Sequence, residues 1–131
     1  MPTATLVKVV DASALAAVVF GEPEENAVGV ALQNAALTAP ALLGFEMANI
    51  CVIKMRRFPN DRNKILARFT IQARYGLELV PVDHDAVVSL AAETGLTAYD
   101  ASYLWLAREL DCQLVTLDKK LHAVAGPLAA P

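Results

Sequence analysis

The sequence predicts an α/β fold: a parallel sheet with helices covering both faces. Three observations predict it. Short strand-like runs alternate with longer stretches of helical composition, and strands separated by helices pair in parallel. No repeat or linker divides the chain, and 131 residues suit one domain that can bury a proper core. Apolar residues make up 56% and charged residues 19%, the balance of an ordered globular protein.

"TLVKVV" (residues 5–10) is a short β-branched run ending at Asp11, and "ASALAAVVFGEP" follows with helical composition. "ENAVGVALQNAAL" (25–37) reads as a second helix, and "LTAP" (37–40) as a short strand. A long, very apolar helix is expected from Ala41 to Arg57, then a charged segment reaching Tyr75. "LELVPVD" (77–83) reads as a strand and "HDAVVSLAAETG" (84–95) as a helix closed by its glycine. Thr97 to Leu110 forms an amphipathic helix, "CQLVTLD" (112–118) a strand, and "KKLHAVAG" (119–126) a last helix. In such sheets reactive groups collect beyond the carboxyl ends of the strands, where Asp11 and Asp118 fall.

A net charge of -3 does not by itself suggest nucleic acid. Cys51 and Cys112 sit inside apolar runs without metal-ligand spacing and read as reduced thiols of a cytoplasmic protein. The N-terminus lacks the layout of a signal peptide, and polar residues with Pro40 interrupt the uncharged stretch 26–45, so no membrane span is expected.

Of fourteen acidic residues, most read as solvated; four do not. Asp11 and Asp118 end strands, where an aspartate commonly caps the next helix. Asp100 shares a helix side with Tyr103, Leu104 and Ala107, and can be the N3 residue of a capping box opened by Thr97. Glu46 shares a face with Leu42, Leu43, Ile50 and Ile53, mid-helix, where it caps nothing. A buried carboxylate there is costly unless a distant segment pairs with it or Asn49 helps position it or a ligand. Brought to one sheet edge, four carboxylates would repel unless a cation held them ionised. Mg²⁺ or Mn²⁺ suits such oxygen ligands and can orient and polarise a water for attack on a phosphodiester. Ligand type alone leaves open whether Glu46 is a ligand or a base.

The ordered set "KVVDASALAAVVFGEPE", "APALLGFEMANICVIKM" and "LTAYDASYLWLARELDCQLVTLDKKL" resembles PIN-domain ribonucleases, specifically the VapC-type toxins of prokaryotic toxin–antitoxin pairs. The resemblance implies a three-layer α/β/α sandwich with a parallel central sheet of four to five strands. It also implies a divalent-metal site on Asp11, Glu46, Asp100 and Asp118 that cleaves RNA, supported by Ser13 and Thr116. Homodimers and a cognate VapB-type antitoxin covering the site are implied as well. The tail "PLAAP" departs from the resemblance, because it leaves little chain for a fifth strand.

Seven of the eleven basic residues lie in one segment: Lys54, Arg56, Arg57, Arg62, Lys64, Arg68 and Arg74. Such a run is ordinarily a solvated surface, but beside an acidic metal site it would supply what a phosphate backbone needs. Phe58 and Phe69 can stack a base or pack in the core, and Trp105 faces the partly polar side of its helix. His84 and His122 are isolated, and there is no GxxxxGK[ST], GxGxxG or GxSxG motif, which weighs against zinc sites, nucleotide and dinucleotide enzymes and serine hydrolases. Two further alternatives are a phospho-receiver module, which would want an adjacent acidic pair after the first strand, and a non-catalytic PIN-like scaffold, which normally lacks one of the acids.

Overall fold

The computed structural model describes residues 6–131. Its elements run β1 (Leu6–Val10), α1 (Ala12–Phe20), α2 (Glu25–Leu32), β2 (Ala35–Pro40), α3 (Leu43–Arg57), α4 (Arg62–Ile71), β3 (Glu78–Val80), α5 (His84–Thr94), α6 (Ala98–Leu110), β4 (Gln113–Val115) and α7 (Lys119–Ala125), with short 3₁₀ turns between some of them. Thr5, expected to open the first strand, lies outside the described residues.

The four strands are all parallel, in the order β3-β2-β1-β4. The connections β1 to β2 and β2 to β3 step one way across the sheet, and β3 to β4 returns over it. Right-handed crossovers then put α1–α4 on one face and α5–α6 on the other. Packing agrees: α1 lies against α2, α3 and α4, while α6 lies against α5 and against β1, β2 and β4. One core cluster spans both layers, with Leu15, Met47, Leu104 and Leu114 fully enclosed.

Several boundaries differ from the sequence reading: the strands expected at 77–83 and 112–118 cover only Glu78–Val80 and Gln113–Val115. The second helix ends at Leu32, because Asn34 takes a left-handed conformation (φ 58°) and Ala35–Thr38 pair with Leu6–Val9. Backbone pairing inside the sheet outweighs the helical preference of these alanines. The third helix starts at Leu43, after a turn at Ala41–Leu42, so Glu46 stands in its first turn and not mid-helix. The short tail leaves, as expected, only a remnant of a fifth strand: one parallel bridge, Leu114 to Ala129, beside Ala130 N–H donating to Leu114 O (2.9 Å). Among the described residues, no helix is long and apolar enough to cross a membrane.

Candidate active site

The order β3-β2-β1-β4 makes the gap beyond the carboxyl ends of β1 and β4 a topological switch point. From β1 the chain departs toward β2; it reaches β4 from the opposite side. Asp11 follows β1 directly, and Thr116, Leu117 and Asp118 follow β4. Backbone and hydroxyl groups clasp the two ends together. Asp11 N–H donates to Val115 O (3.1 Å), and Leu117 N–H donates to Ser13 Oγ (2.9 Å).

Asp11 is buried and held on three sides. Its Oδ1 accepts from Ser13 Oγ (2.7 Å) and Ala14 N–H (3.0 Å), and its Oδ2 accepts from the Thr116 hydroxyl. Thr116 Oγ1 in turn accepts from Asp118 N–H (3.0 Å), so one hydroxyl links two of the four acids. Ser13 and Thr116 thus both touch Asp11, at the positions the sequence singled out. Asp118 N-caps α7, its Oδ1 accepting from Leu121 N–H (2.8 Å), which leaves Oδ2 outside the cap. Asp11 likewise N-caps α1 through Ala14. Capping and facing the switch point are therefore compatible uses of one carboxylate.

On α6, Thr97 is the N-cap, accepting from Asp100 N–H at 3.1 Å. This bond uses the aspartate's backbone and leaves its half-buried carboxylate to the site. One turn on, Tyr103 is 1% exposed, and its hydroxyl donates to Glu46 Oε1 at 2.5 Å. This is the distant partner that a glutamate on an apolar face needs. Asn49 is exposed; the side chain that reaches Glu46 is Tyr103.

Three of the acids titrate above their ordinary range. Burial pushes the Asp11 carboxyl up, against the Thr116, Ala14 and Ser13 bonds that hold it down, and the Asp100 charge adds to the rise. Burial raises Glu46 as well; the Tyr103 bond opposes this, while Asp11 and Asp100 reinforce it. Asp100 is raised by burial and then by Asp118, and Lys120 pulls it back. Tyr103 is pushed up by burial and by the Glu46 carboxylate that its proton serves, so its hydroxyl stays a donor.

These couplings make the four acids one electrostatic group lacking a matched protein cation. Among the described residues the ion pair present is Lys54 with Glu22 (3.3 Å), and neither belongs to the group. Hard carboxylate oxygens in partly buried surroundings, short of positive charge, fit Mg²⁺ or Mn²⁺. Among the described residues, no three acidic, histidine or cysteine side chains are yet gathered closely enough to enclose an ion.

Sequence reasoning missed Tyr103 and Lys120. Tyr103 sits on the apolar stripe and reads there as core; the clue was that a buried phenol needs a polar partner. Lys120 bonds Gly95 O (2.6 Å) and reaches the field of Asp100. Tyr103→Phe is expected to raise the proton affinity of Glu46 further, because the bond that holds its carboxyl down is lost. The variant's urea midpoint should fall by no more than about 1 kcal/mol equivalent. Both are read by titration of the purified variant.

Comparison with known proteins agrees with this architecture. Among curated proteins none matches the chain in sequence. The chain is similar to the protein in the crystal structure of PAE2754 from Pyrobaculum aerophilum, with 26% identity and a TM-score of 0.78. The likeness covers 98% of this chain and 91% of that one. The PIN domain profile matches residues 8–127, spanning both strand ends of the switch point and all four acids. The chain belongs to the PIN domain family.

Proposed function

We propose that this protein is a metal-dependent endoribonuclease of the VapC toxin type, acting on RNA in the cytoplasm and restrained by a cognate VapB-type antitoxin. PIN domains are typically nucleases and usually use divalent metal ions. The observation that supports the finer reading is the hydrogen-bonded frame around one switch point. In it Thr116 joins Asp11 to Asp118 and Tyr103 joins Glu46 to the Asp100 helix, with no ion pair to these acids among the described residues.

Asp11, Glu46, Asp100 and Asp118 would hold Mg²⁺ or Mn²⁺. When bound, such an ion polarises a water for in-line attack on a phosphodiester and stabilises the leaving oxygen. The chain's own residues set the stage. Ser13 and Thr116 lock the Asp11 carboxylate, and the clasp through Leu117 fixes Asp118 relative to it. Glu46 is less buried than Asp11, and its single bond from Tyr103 leaves Oε2 available to take a proton from an attacking water. Its proton affinity, raised first by burial, is in the direction that favours that use. Lys54, Arg56, Arg57, Arg62, Lys64 and Arg68 offer the phosphate backbone the positive charge that the acids deny it.

A homodimer is part of the proposal: Phe45 is 85% exposed, and Tyr99 and Val88 are also largely exposed, the kind of apolar surface that a second copy can cover. The separation of the carboxylates is the observation that favours a non-catalytic scaffold instead. Incubating the purified chain with RNA and mapping the ends by sequencing decides between them. Cleavage is expected with Mg²⁺ or Mn²⁺, absent in EDTA, and restored when metal is returned in excess. Metal-independent cleavage, or none with either ion, overturns the proposal.

A further inference from the structure

The basic segment is not one uniform surface. Its side chains divide between those that line a cavity and those that do not. Between α1, α3 and α4 lies a cavity of about 290 Å³, walled by Phe20, Phe58, Lys54, Lys64 and Arg68, with Asp61 as its acid. Arg56, Arg62 and Arg74 lie outside it. With Lys54 paired to Glu22, Lys64 and Arg68 against Asp61 still leave it positive.

The cavity also offers flat apolar surface. Phe58 is 46% exposed, whereas Phe69, the other aromatic of the segment, is packed against the core. Lys54 sits over the Phe20 ring and Arg57 over the Phe58 ring, each 5.4 Å from the centroid. Cationic groups are thus held beside aromatic faces, the pairing that receives a phosphate and a stacked base together. Arg68 lies close against the end of α1. A Cβ on Gly21, which has φ +67°, would stand 2.7 Å from its Nη1. Placed there, the guanidinium faces the negative end of the helix dipole.

A second cavity, about 460 Å³, shares Lys54 and Phe58 with the first and reaches Ser13 and Leu117. Ser13 is bonded to Asp11, so the two adjoining cavities make a furrow that begins beside the acidic group, though none of the four acids lines it, and ends at the basic residues. The middle of the furrow is close to neutral, with Lys54 and Arg57 against Glu22 and Glu24. Phosphate attraction is therefore concentrated at the far end.

We infer that the basic cavity is a subsite for one unpaired nucleotide of an RNA strand whose scissile bond lies at the acidic group. Its base stacks on Phe58 and its phosphate is held by Lys64 and Arg68. The inference deepens the ribonuclease reading and rests on it for the scissile end. The size argues for a single nucleotide, since the cavity is at the small end of ligand pockets, roughly 300–1,000 Å³. A base inside a duplex is stacked on its neighbours and cannot lie on Phe58, so the subsite selects single strands.

The test is binding of a fluorescently labelled single-stranded RNA to the full chain in EDTA, so that no cleavage intervenes. Lys64→Ala with Arg68→Ala is expected to weaken binding about tenfold and to lower the slope of log affinity against log salt by about 0.7. Arg74→Ala with Arg108→Ala removes the same charge outside the cavity and should change binding less than about threefold. Phe58→Ala should weaken the single strand about tenfold and leave duplex RNA of the same sequence unchanged. All five residues are exposed or half-buried, and circular dichroism checks that each variant folds. Equal effects of the two charge pairs, or a Phe58→Ala effect on duplex equal to that on single strand, overturn the subsite. Wild-type binding of the single strand by every variant also overturns it. Failure of the wild type to cleave with metal while this binding pattern holds counts against the nuclease reading and leaves the subsite standing.

Discussion

Replacing Asp100 with asparagine is expected to lower metal-dependent RNA cleavage by at least about 10³-fold, roughly 4 kcal/mol of transition-state stabilisation. Asparagine keeps the backbone N–H that Thr97 accepts, so the start of α6 is preserved. What is lost is a charged oxygen in a group of four acids. The same substitution should raise the thermal midpoint of the metal-free protein at pH 7, because it removes a carboxylate whose charge is disfavoured first by burial and then by Asp118. The sign of the pH dependence follows. Asp100 has a folded pKa above its unfolded value, so its charge opposes folding at pH above the folded pKa. This opposition is relieved as pH falls through that pKa toward the unfolded value of 3.8. The advantage of the variant over wild type should therefore be largest near neutrality and shrink in acid. Thermal melts of both proteins from pH 4 to 8 measure it. An inactive variant that is also less stable at pH 7 would mean that the carboxylate supports the fold and does not merely await an ion.

Leu104→Ala is expected to cost about 3 kcal/mol, within the 2–5 kcal/mol range of buried leucine truncations. Leu104 is fully buried on α6, the helix laid against β1, β2 and β4. Few neighbours can close the space it leaves, since the surrounding helix and strands are fixed by the sheet. The effect should appear as a lower urea midpoint with an unchanged slope. Leu110→Ala, at a 47% exposed position of the same helix, should stay within about 0.5 kcal/mol and serves as the control.

Much of this was legible in the residues. Strand ends marked by aspartate located Asp11 and Asp118, and the mismatch between charge and apolar surroundings located Glu46. Both signals are local. What was not legible depended on pairing between distant segments. Ala35–Leu37 have helical composition, yet become strand because β1 offers them unpaired backbone groups in register. Glu46 was read as mid-helix because the apolar pattern begins before the helix does, at Ala41 and Leu42. Tyr103 and Glu46 each announced a need, a phenol without a partner and a carboxylate without a cation. Their 57-residue separation hid that one answered the other. The basic run was visible as charge, but which cations share a cavity is set by how α1, α3 and α4 pack.

The clasp between the ends of β1 and β4 also bears on when activity can arise during synthesis. Asp11 is made early, whereas Thr116, Leu117 and Asp118, which complete its surroundings, come more than a hundred residues later. β4 pairs with β1 and not with a strand made just before it, so the sheet stays open at that edge until late translation. A nascent chain that stops short of β4 carries three of the four acids and none of the Thr116 and Leu117 bonds. Strand order alone thus ties completion of the acidic group's surroundings to the last stretch of synthesis.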